Sequence, residues 1–216
     1  MTRLSLLTAA LLALSTLTSS VSAEGERAGD FDYYLLSLSW SPTWCALTGD
    51  ARNSPQCDPA EDRGFVLHGL WPQYETGWPS FCRTPQRDPS RQQTAAIEDL
   101  TGAPGLAWYE WKKHGRCSGL SATDYFALER KAYESIEIPR VLANLDRDVR
   151  LPAKVVEQAF LEANPGLDAD EITITCKSGR IQEARICLTK ELEPRRCGAD
   201  TIRDCSLSNA LMEKVR

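Results

Sequence analysis

The chain has 216 residues, and its 30 acidic residues outnumber its 25 lysines and arginines, so the formal net charge is −5 at pH 7. Proteins that hold nucleic acids tightly are normally basic, because neutralisation of phosphates supplies most of their affinity. The acidic balance therefore argues against a stable nucleic-acid binder, although it suits an enzyme that must release its products. The length suits one domain with a sizeable core, and no internal repeat or low-complexity tract divides the sequence.

Residues 1–23 have the pattern of a secretory signal peptide. Arg3 supplies a positive charge, residues 4–17 are largely apolar, and small residues end the segment at Ala23. A membrane anchor is the alternative, but Ser and Thr interrupt the apolar stretch, which is short of the roughly 20 residues that a bilayer crossing needs. We therefore expect the protein to be secreted or exported to the periplasm. After removal of the signal peptide, residues 24–216 should form a single domain without a membrane span.

Two strands are predicted near the start of the mature chain. Residues 33–40 are rich in aromatic and aliphatic side chains and end before a Ser-Pro pair. Residues 65–71 form a second apolar run, which ends before a proline. Residues 41–63 and 73–91 are rich in proline and polar residues, so we expect irregular loops there.

Helices are predicted in the middle of the chain. The first lies around residues 108–114, the second begins after Ser121, and the third spans residues 154–163 and ends at Asn-Pro-Gly. Residues 172–176 and 180–188 flank a Lys-Ser-Gly turn and predict a β-hairpin. This order predicts an α+β fold in which helices pack on a central antiparallel sheet.

The eight cysteines all lie in the predicted mature domain. An even number of cysteines in an exported chain indicates a disulfide framework. A zinc site is disfavoured, because the sequence has no Cys-x-x-Cys pair and neither histidine is spaced with cysteines as metal ligands are. We expect no metal and no cofactor, and the spacing alone does not choose among the 105 possible pairings of eight cysteines.

Acid–base chemistry is suggested by the two histidines, His68 and His114, the only ones in the chain. His68 lies in the second predicted strand. Glu110 lies three residues before Lys113 and four before His114, so these three side chains share one helix face. Histidine can donate or accept a proton near neutral pH, and lysine can neutralise a developing anion. The alternatives are a buried core histidine and a solvated Glu–Lys surface pair, and the pattern does not identify a substrate.

Two motifs resemble the active-site motifs of the ribonuclease T2 family. His-Gly-Leu-Trp-Pro at residues 68–72 is similar to the first, and Glu-Trp-Lys-Lys-His-Gly-Arg-Cys at residues 110–117 is similar to the second. Residues 36–45 also resemble the start of the family's sequence. The resemblance covers residues 33–120 well, whereas the C-terminal third matches mainly in its cysteines.

The resemblance implies an endoribonuclease that cleaves single-stranded RNA without a metal, through a 2′,3′-cyclic phosphate. It implies that His114 is the general base, that His68 is the general acid, and that Glu110 and Lys113 stabilise the phosphorane. Trp71 would stack on the base 5′ of the cut, and we expect low base specificity because every base can stack. DNA lacks the 2′-OH and should not be cleaved, and we expect a monomer.

Two positions beside the second motif depart from the family's pattern. Tyr109 stands where some members carry a further histidine that helps to hold phosphate. Arg116 replaces the usual threonine and adds a positive charge. We expect both side chains to contact the substrate.

Four disulfides are implied by the resemblance: Cys45–Cys57, Cys82–Cys117, Cys176–Cys205 and Cys187–Cys197. The pair Cys82–Cys117 would join the loop after the first motif to the end of the second motif, and so brace both halves of the site.

Two other classes of protein remain as alternatives to the enzyme. One is a non-catalytic exported homologue that acts as a binding or inhibitory module, and the other is a disulfide-rich metal hydrolase. The presence of both histidines favours an enzyme over the first alternative.

Overall fold

The structure is a computed structural model that describes residues 26–216, so the predicted signal peptide, residues 1–23, lies outside the described residues. No helix within residues 26–216 is long and apolar enough to cross a membrane. In chain order the helices and strands are β1 (Tyr33–Trp40), α1 (Ser41–Trp44), β2 (Phe65–Gln73), α2 (Arg91–Ala95), α3 (Glu98–Thr101), α4 (Pro104–Lys113), α5 (Ala122–Glu134), α6 (Arg140–Ala143), β3 (Val149–Leu151), α7 (Ala153–Ala163), β4 (Ile172–Lys177), β5 (Arg180–Leu188) and β6 (Ala210–Met212).

The six strands form one sheet in the order β2-β1-β5-β6-β3, and β4 pairs with β5. Helices cover one face of this sheet around a single large core, which confirms the predicted α+β fold with a central sheet. Strands β2, β1, β5 and β4 pair antiparallel, as expected of the central sheet, whereas β5 and β6 pair in parallel at Arg180 and Leu211. The short strands β3 and β6, and the helices α2, α3 and α6, were not predicted.

Strand β1 is buried along its whole length because it lies between β2 and β5. Alternate side chains of a strand point to opposite faces of the sheet. On one face, β1 packs into the large core under the helices; on the other, Tyr33 and Leu35 belong to a smaller apolar cluster with Cys187 and Cys197. We call this other face the open face.

Strand β2 runs two residues beyond its predicted end, through Pro72 to Gln73. The proline is tolerated because β2 is an edge strand, in which only some of the backbone N–H groups pair with a neighbour.

The pairing of β1 with β2 is interrupted next to the first histidine. Leu38 pairs with Leu67 and Ser37 pairs with Gly69, so His68 is the extra residue of a β-bulge. Bulges bend a strand and change the direction of a side chain, and they are common beside active sites.

The main helices and the hairpin lie where the sequence predicts them. Helix α4 begins at Pro104, earlier than residue 108, because proline suits the first turn of a helix. The side chain of Ser121 caps α5 by accepting the N–H of Asp124. Strands β4 and β5 form the predicted hairpin.

The segment 41–63, predicted as a loop, instead contains helix α1 and several short helical turns. Prolines 42, 55 and 59 each occupy the first turn of one of these pieces, where a fixed φ and a missing N–H cost little.

The structure contains the four disulfides Cys45–Cys57, Cys82–Cys117, Cys176–Cys205 and Cys187–Cys197, which are the pairs that the family resemblance implies. Cys82 and Cys117 are fully buried and join the loop after β2 to the turn after α4. In the same place, the N–H of Phe81 donates a 2.9 Å hydrogen bond to the carbonyl of Lys113.

A buried carboxyl group of α5 hydrogen-bonds to the backbone of β2. Glu129 of α5 accepts the N–H of Leu70 at 3.2 Å, and the hydroxyl of Tyr125 donates to the carbonyl of Leu70 at 2.8 Å. Burial raises the pKa of Glu129 from 4.5 to about 8, so its protonated form is the stable one in the folded protein.

This buried acid makes folding stability depend on pH. Below pH 4.5 Glu129 is protonated in both the folded and the unfolded protein, and its contribution to the free energy of unfolding is fully present. As the pH rises toward 8 this contribution is lost, because Glu129 ionises only in the unfolded chain. Glu129→Gln keeps an acceptor but cannot ionise. The free energy of unfolding in urea should therefore fall for wild type, relative to that of Glu129→Gln, as the pH rises from about 5 to about 8. The exposed Glu134→Gln in the same helix is the control, and an advantage that does not change with pH would contradict the prediction.

Candidate active site

The open face of the sheet carries a cleft of about 450 Å³, which we call the Trp71 cleft. Strands β2 and β5, the C-terminal end of α4 and the chain near residue 200 contribute its walls. Six of the seven residues that the sequence analysis assigns to catalysis or substrate binding line it, namely His68, Trp71, Tyr109, Glu110, Lys113 and His114.

His68 is held by a buried acidic residue of β5. Its Nδ1 lies 2.7 Å from Glu183 Oε1, and the other oxygen of Glu183 accepts a hydrogen bond from Nε of Arg185 at 2.8 Å. A terminal nitrogen of Arg185 lies 2.6 Å from that same oxygen in an ion pair. Burial alone would lower the pKa of His68, but the hydrogen bond and the charges of Glu183 and Glu110 outweigh it, so the pKa is raised. The same pairing lowers the pKa of Glu183 to about 2, against the effect of burial.

Glu110 joins the helix to the strand. Its Oε2 accepts the indole N–H of Trp71 at 2.7 Å, and its Oε1 lies 3.6 Å from Nε2 of His68. Only glycine fits at position 69, because a Cβ there would lie 2.5 Å from Nε1 of Trp71 and 2.9 Å from Glu110 Oε2. Burial raises the pKa of Glu110, although the charge of His68 and the hydrogen bond from Trp71 act in the opposite direction.

His114 is held by packing instead of by a charged partner. It is 4% exposed, its ring stacks on Trp71 at a centroid distance of 5.0 Å, and no residue within 26–216 hydrogen-bonds to its Nδ1. Burial, helped by the charges of Lys113 and His68, lowers its pKa to about 3. The glycine at position 115 leaves room for the ring of Tyr125, which a Cβ would approach to 2.6 Å.

The pKa values of the two histidines are therefore shifted in opposite directions. His68 holds its proton more tightly than a free histidine, and His114 holds its proton much less tightly. Opposite shifts of this kind in one cleft are the usual mark of an acid and a base in the same reaction.

Lys113 and Tyr109 lie at the mouth of the cleft, whereas Arg116 does not. Tyr109 is 50% exposed, and Nζ of Lys113 lies 6.0 Å from the centre of its ring. Arg116 lies in the turn after α4 and is absent from the cleft lining, and its charge acts on Asp88. The expected contact between Arg116 and the substrate thus gains no support from this arrangement.

A second cleft of about 510 Å³ adjoins the first, and we call it the Trp44 cleft. It shares His68, Tyr109 and Glu110 with the Trp71 cleft, so these three residues stand between two cavities. Its other walls carry apolar, amide and hydroxyl side chains and one further charged residue, Arg52; among them are Trp44, Leu106, Asn53 and Gln56.

Glu183 and Arg185 of this site were missed by the sequence analysis. A signal was present, because two charged residues of opposite sign lie two positions apart in the otherwise largely apolar run of β5 and so point to the same face. The residues found only in the Trp44 cleft, and Trp78 and Asp200 of the Trp71 cleft, carry no comparable pattern.

One group of side chains within residues 26–216 has the composition of a metal site, namely Cys45, Asp50 and Cys57. Its two sulfur atoms are bonded to each other in a disulfide, so neither is a thiolate ligand.

Comparison with known proteins gives concordant results. A ribonuclease from Aeromonas hydrophila is 46% identical over 122 residues, which cover 56% of this chain and 54% of that protein. The chain thus spans about half the length of this relative. Ribonuclease DdI from Dictyostelium discoideum is 30% identical over 201 residues, which cover 83% of this chain and 84% of that protein.

A solved structure shares the fold. An RNase-related protein from Calystegia sepium superposes with a TM-score of 0.65 at 22% identity, and the alignment covers 86% of this chain and 97% of that one. The sequence model of the ribonuclease T2 family matches residues 31–197, which include both histidine motifs. The chain therefore belongs to the ribonuclease T2 family.

Proposed function

We propose that the protein is an endoribonuclease that cleaves single-stranded RNA by transphosphorylation, without a metal, and leaves a 2′,3′-cyclic phosphate. The observation that carries this proposal is the presence of two histidines with opposite pKa shifts in one cleft, beside a lysine. In RNA the nucleophile is the 2′-OH of the substrate itself, so the protein has only to move protons and stabilise charge.

His114 acts as the base and His68 as the acid. Neutral His114 takes the proton of the 2′-OH, whose oxygen forms a bond to phosphorus while the bond from phosphorus to the 5′-oxygen breaks. Protonated His68 gives its proton to that departing oxygen. The products are a cyclic phosphate and a 5′-hydroxyl, and exchange with solvent restores both histidines. The phosphate of bound RNA favours protonation of His114 and so moves its pKa toward the working range.

Lys113 and Glu110 stabilise the phosphorane between these two proton transfers. The Lys113 ammonium neutralises the non-bridging oxygens. Glu110 contributes through His68: its Oε1 lies 3.6 Å from Nε2 of that ring, and its negative charge favours the protonated ring beside the phosphorane.

Glu183 acts through His68 as a positioning residue. Its hydrogen bond to Nδ1 fixes the orientation of the ring and leaves Nε2 directed toward Glu110. Arg185 holds Glu183 ionised, and the ionised carboxylate in turn favours the protonated form of His68.

The two clefts suit two successive nucleotides of a strand. The base 5′ of the cut lies in the Trp71 cleft and the base 3′ of the cut lies in the Trp44 cleft, with the reacting phosphate between them at His68. Both clefts have aromatic walls, which stack on any base and predict low base specificity. DNA should not be cut, because it lacks the 2′-OH.

An oxidising location and a monomeric state complete the proposal. Four disulfides favour secretion or export to the periplasm. All the groups named in the mechanism belong to one chain, so a monomer suffices.

Removing the base should remove most of the activity. His114→Ala should lower kcat/KM on single-stranded RNA by about 10²–10⁴, the usual contribution of a positioned base. The assay is digestion of the dinucleotide ApU in EDTA, with the cyclic phosphate followed by chromatography. Cleavage by His114→Ala at the wild-type rate would refute the assignment, and loss of wild-type cleavage in EDTA would point instead to a metal hydrolase.

The neighbouring lysines of α4 provide a matched pair of variants. Lys113→Ala should lower kcat by about 10² or more, because the phosphorane loses a preorganised cation. Lys112 pairs with Asp88 at 3.3 Å, lies over Trp108, and does not line the cleft. Lys112→Ala should therefore stay within about twofold of wild type, as surface ion pairs contribute little. Equal losses for both variants would show that only the overall charge matters.

Loss of the Glu183 carboxylate should change the pH profile. In Glu183→Gln the pKa of His68 should fall, because the negative charge of Glu183 no longer counteracts the effect of burial. Since the acid must be protonated, the descending alkaline limb of log(kcat/KM) should move to lower pH. NMR titration of the two histidine rings measures the pKa directly, and exposed Glu191→Gln is the control. An unshifted limb and an unshifted His68 pKa would leave Glu183 with a structural role only.

A further inference from the structure

Phe81, in the loop after β2, has an unusual backbone conformation for a large side chain. Its φ is +51°, in the left-handed region that bulky residues rarely adopt. The side chain is not buried in return, because Phe81 is 52% exposed. Strain of this kind persists only where the surroundings impose it, and it is concentrated at binding and catalytic sites.

Several contacts impose this conformation on the loop. The N–H of Phe81 donates to the carbonyl of Lys113 at 2.9 Å, and the next residue is a cysteine of the disulfide to the turn after α4. On either side, the carboxylate of Glu26 accepts the N–H of Ser80 at 2.8 Å, and its carbonyl accepts the N–H of Arg83 at 2.9 Å. The backbone is therefore fixed in a form that leaves an aromatic side chain at the surface.

Phe81 lies beside the Trp71 cleft without belonging to its lining. Lys113, whose carbonyl it contacts, lines that cleft, and so does Trp78, which is three residues earlier in the loop. Three residues of chain span at most about 11 Å. The Trp44 cleft contains no residue of this loop. A strand that occupies both clefts therefore comes closest to Phe81 at the end held in the Trp71 cleft.

Positive charge lies next to this loop, although the chain as a whole is acidic. Arg27 and Arg83 pair in a short β-bridge, and both residues are exposed. Lys113 adds a third cation at the neighbouring cleft. Exposed aromatic rings among cations suit single-stranded nucleic acid, because bases stack on the rings and the cations neutralise the phosphates.

We propose that Phe81 stacks on the base of a third nucleotide, the one that precedes the nucleotide in the Trp71 cleft on its 5′ side. The occupant is thus a further unit of the same RNA strand, and the enzyme prefers strands of three or more nucleotides to dinucleotides. This inference rests on the proposed function, which places the base 5′ of the cut in the Trp71 cleft. Any base can occupy the third position, because every base has a face that stacks.

Chimeric strands test both the length and the direction of this site. Only a ribonucleotide supplies the 2′-OH, so a strand with one ribonucleotide is cut at one place. The series compares kcat/KM for rA–dU, for dA–rA–dU with one nucleotide added on the 5′ side, and for rA–dU–dA with one added on the 3′ side. For wild type, the 5′ addition should raise kcat/KM by about tenfold, as expected for one base stacked on an aromatic side chain.

Substitutions of Phe81 should remove this gain and little else. Phe81→Ala should lose most of the gain from the 5′ addition, keep the effect of the 3′ addition, and cleave rA–dU within about twofold of wild type. Phe81→Trp should keep the gain. Val155→Ala shortens an exposed apolar side chain of α7 that lines neither cleft, so it should also keep the gain.

Phe81→Gly separates stacking from a structural role of the ring. Glycine adopts a positive φ without strain, so the midpoint of thermal unfolding of this variant should be at or above that of wild type. Its gain from the 5′ addition should nevertheless be lost. A lower midpoint together with an unchanged gain would show that the ring serves the fold and does not bind RNA.

Two further results would overturn the inference: no gain from the 5′ addition in wild type, or equal losses for the 5′ and the 3′ additions in Phe81→Ala. Binding of the uncleavable strands dA–dU and dA–dA–dU, followed by tryptophan fluorescence, separates the inference from the proposed function. If wild type cleaves no RNA but binds the longer strand about tenfold more tightly, and Phe81→Ala removes that difference, the proposed activity fails and the third site stands. If the longer strand binds no more tightly, the inference fails whatever the activity.

Discussion

The pairing of β1 with β2 on one side and β5 on the other is the interaction on which the site depends. It brings His68 within 2.7 Å of Glu183, although 115 residues separate them in sequence. The bulge in β2 then decides which way the histidine points, because an unpaired residue escapes the strict alternation of the strand. A sheet with one face under helices and one face open thus produces both the core and the cleft.

The surroundings of the two histidines on the open face shift their pKa values in opposite directions. His68 lies over the strands and meets two carboxylates, so its charged form is stabilised. His114 comes from the end of a helix, where Trp71 and Lys113 surround it with apolar surface and positive charge. The proposed acid and the proposed base can both be histidines, since their different surroundings shift their pKa values in opposite directions. The acidic net charge of the whole chain is no obstacle, because the local charges decide the chemistry.

Much of the secondary structure could be predicted from the sequence, whereas the contacts between residues far apart in the sequence could not. Strand β1, helices α5 and α7 and the β4–β5 hairpin follow from apolar periodicity and from caps, which are properties of neighbouring residues. Strands β3 and β6 have three residues each and exist because they pair across about 60 residues, which no local pattern shows. The four proposed catalytic residues were found because two short motifs carry them. Glu183, Arg185 and Asp200 reach the cleft only through tertiary folding, and the directions of the pKa shifts require burial to be known.

The disulfide between Cys82 and Cys117 has a consequence for where this chain can work. It ties the loop after β2 to the turn beside Lys113 and His114, and a reducing compartment would break it. The hydrogen bond from Phe81 to Lys113 would then be the remaining link at that point. A chain kept in a reducing compartment would therefore hold Lys113 and His114 less firmly against the loop after β2.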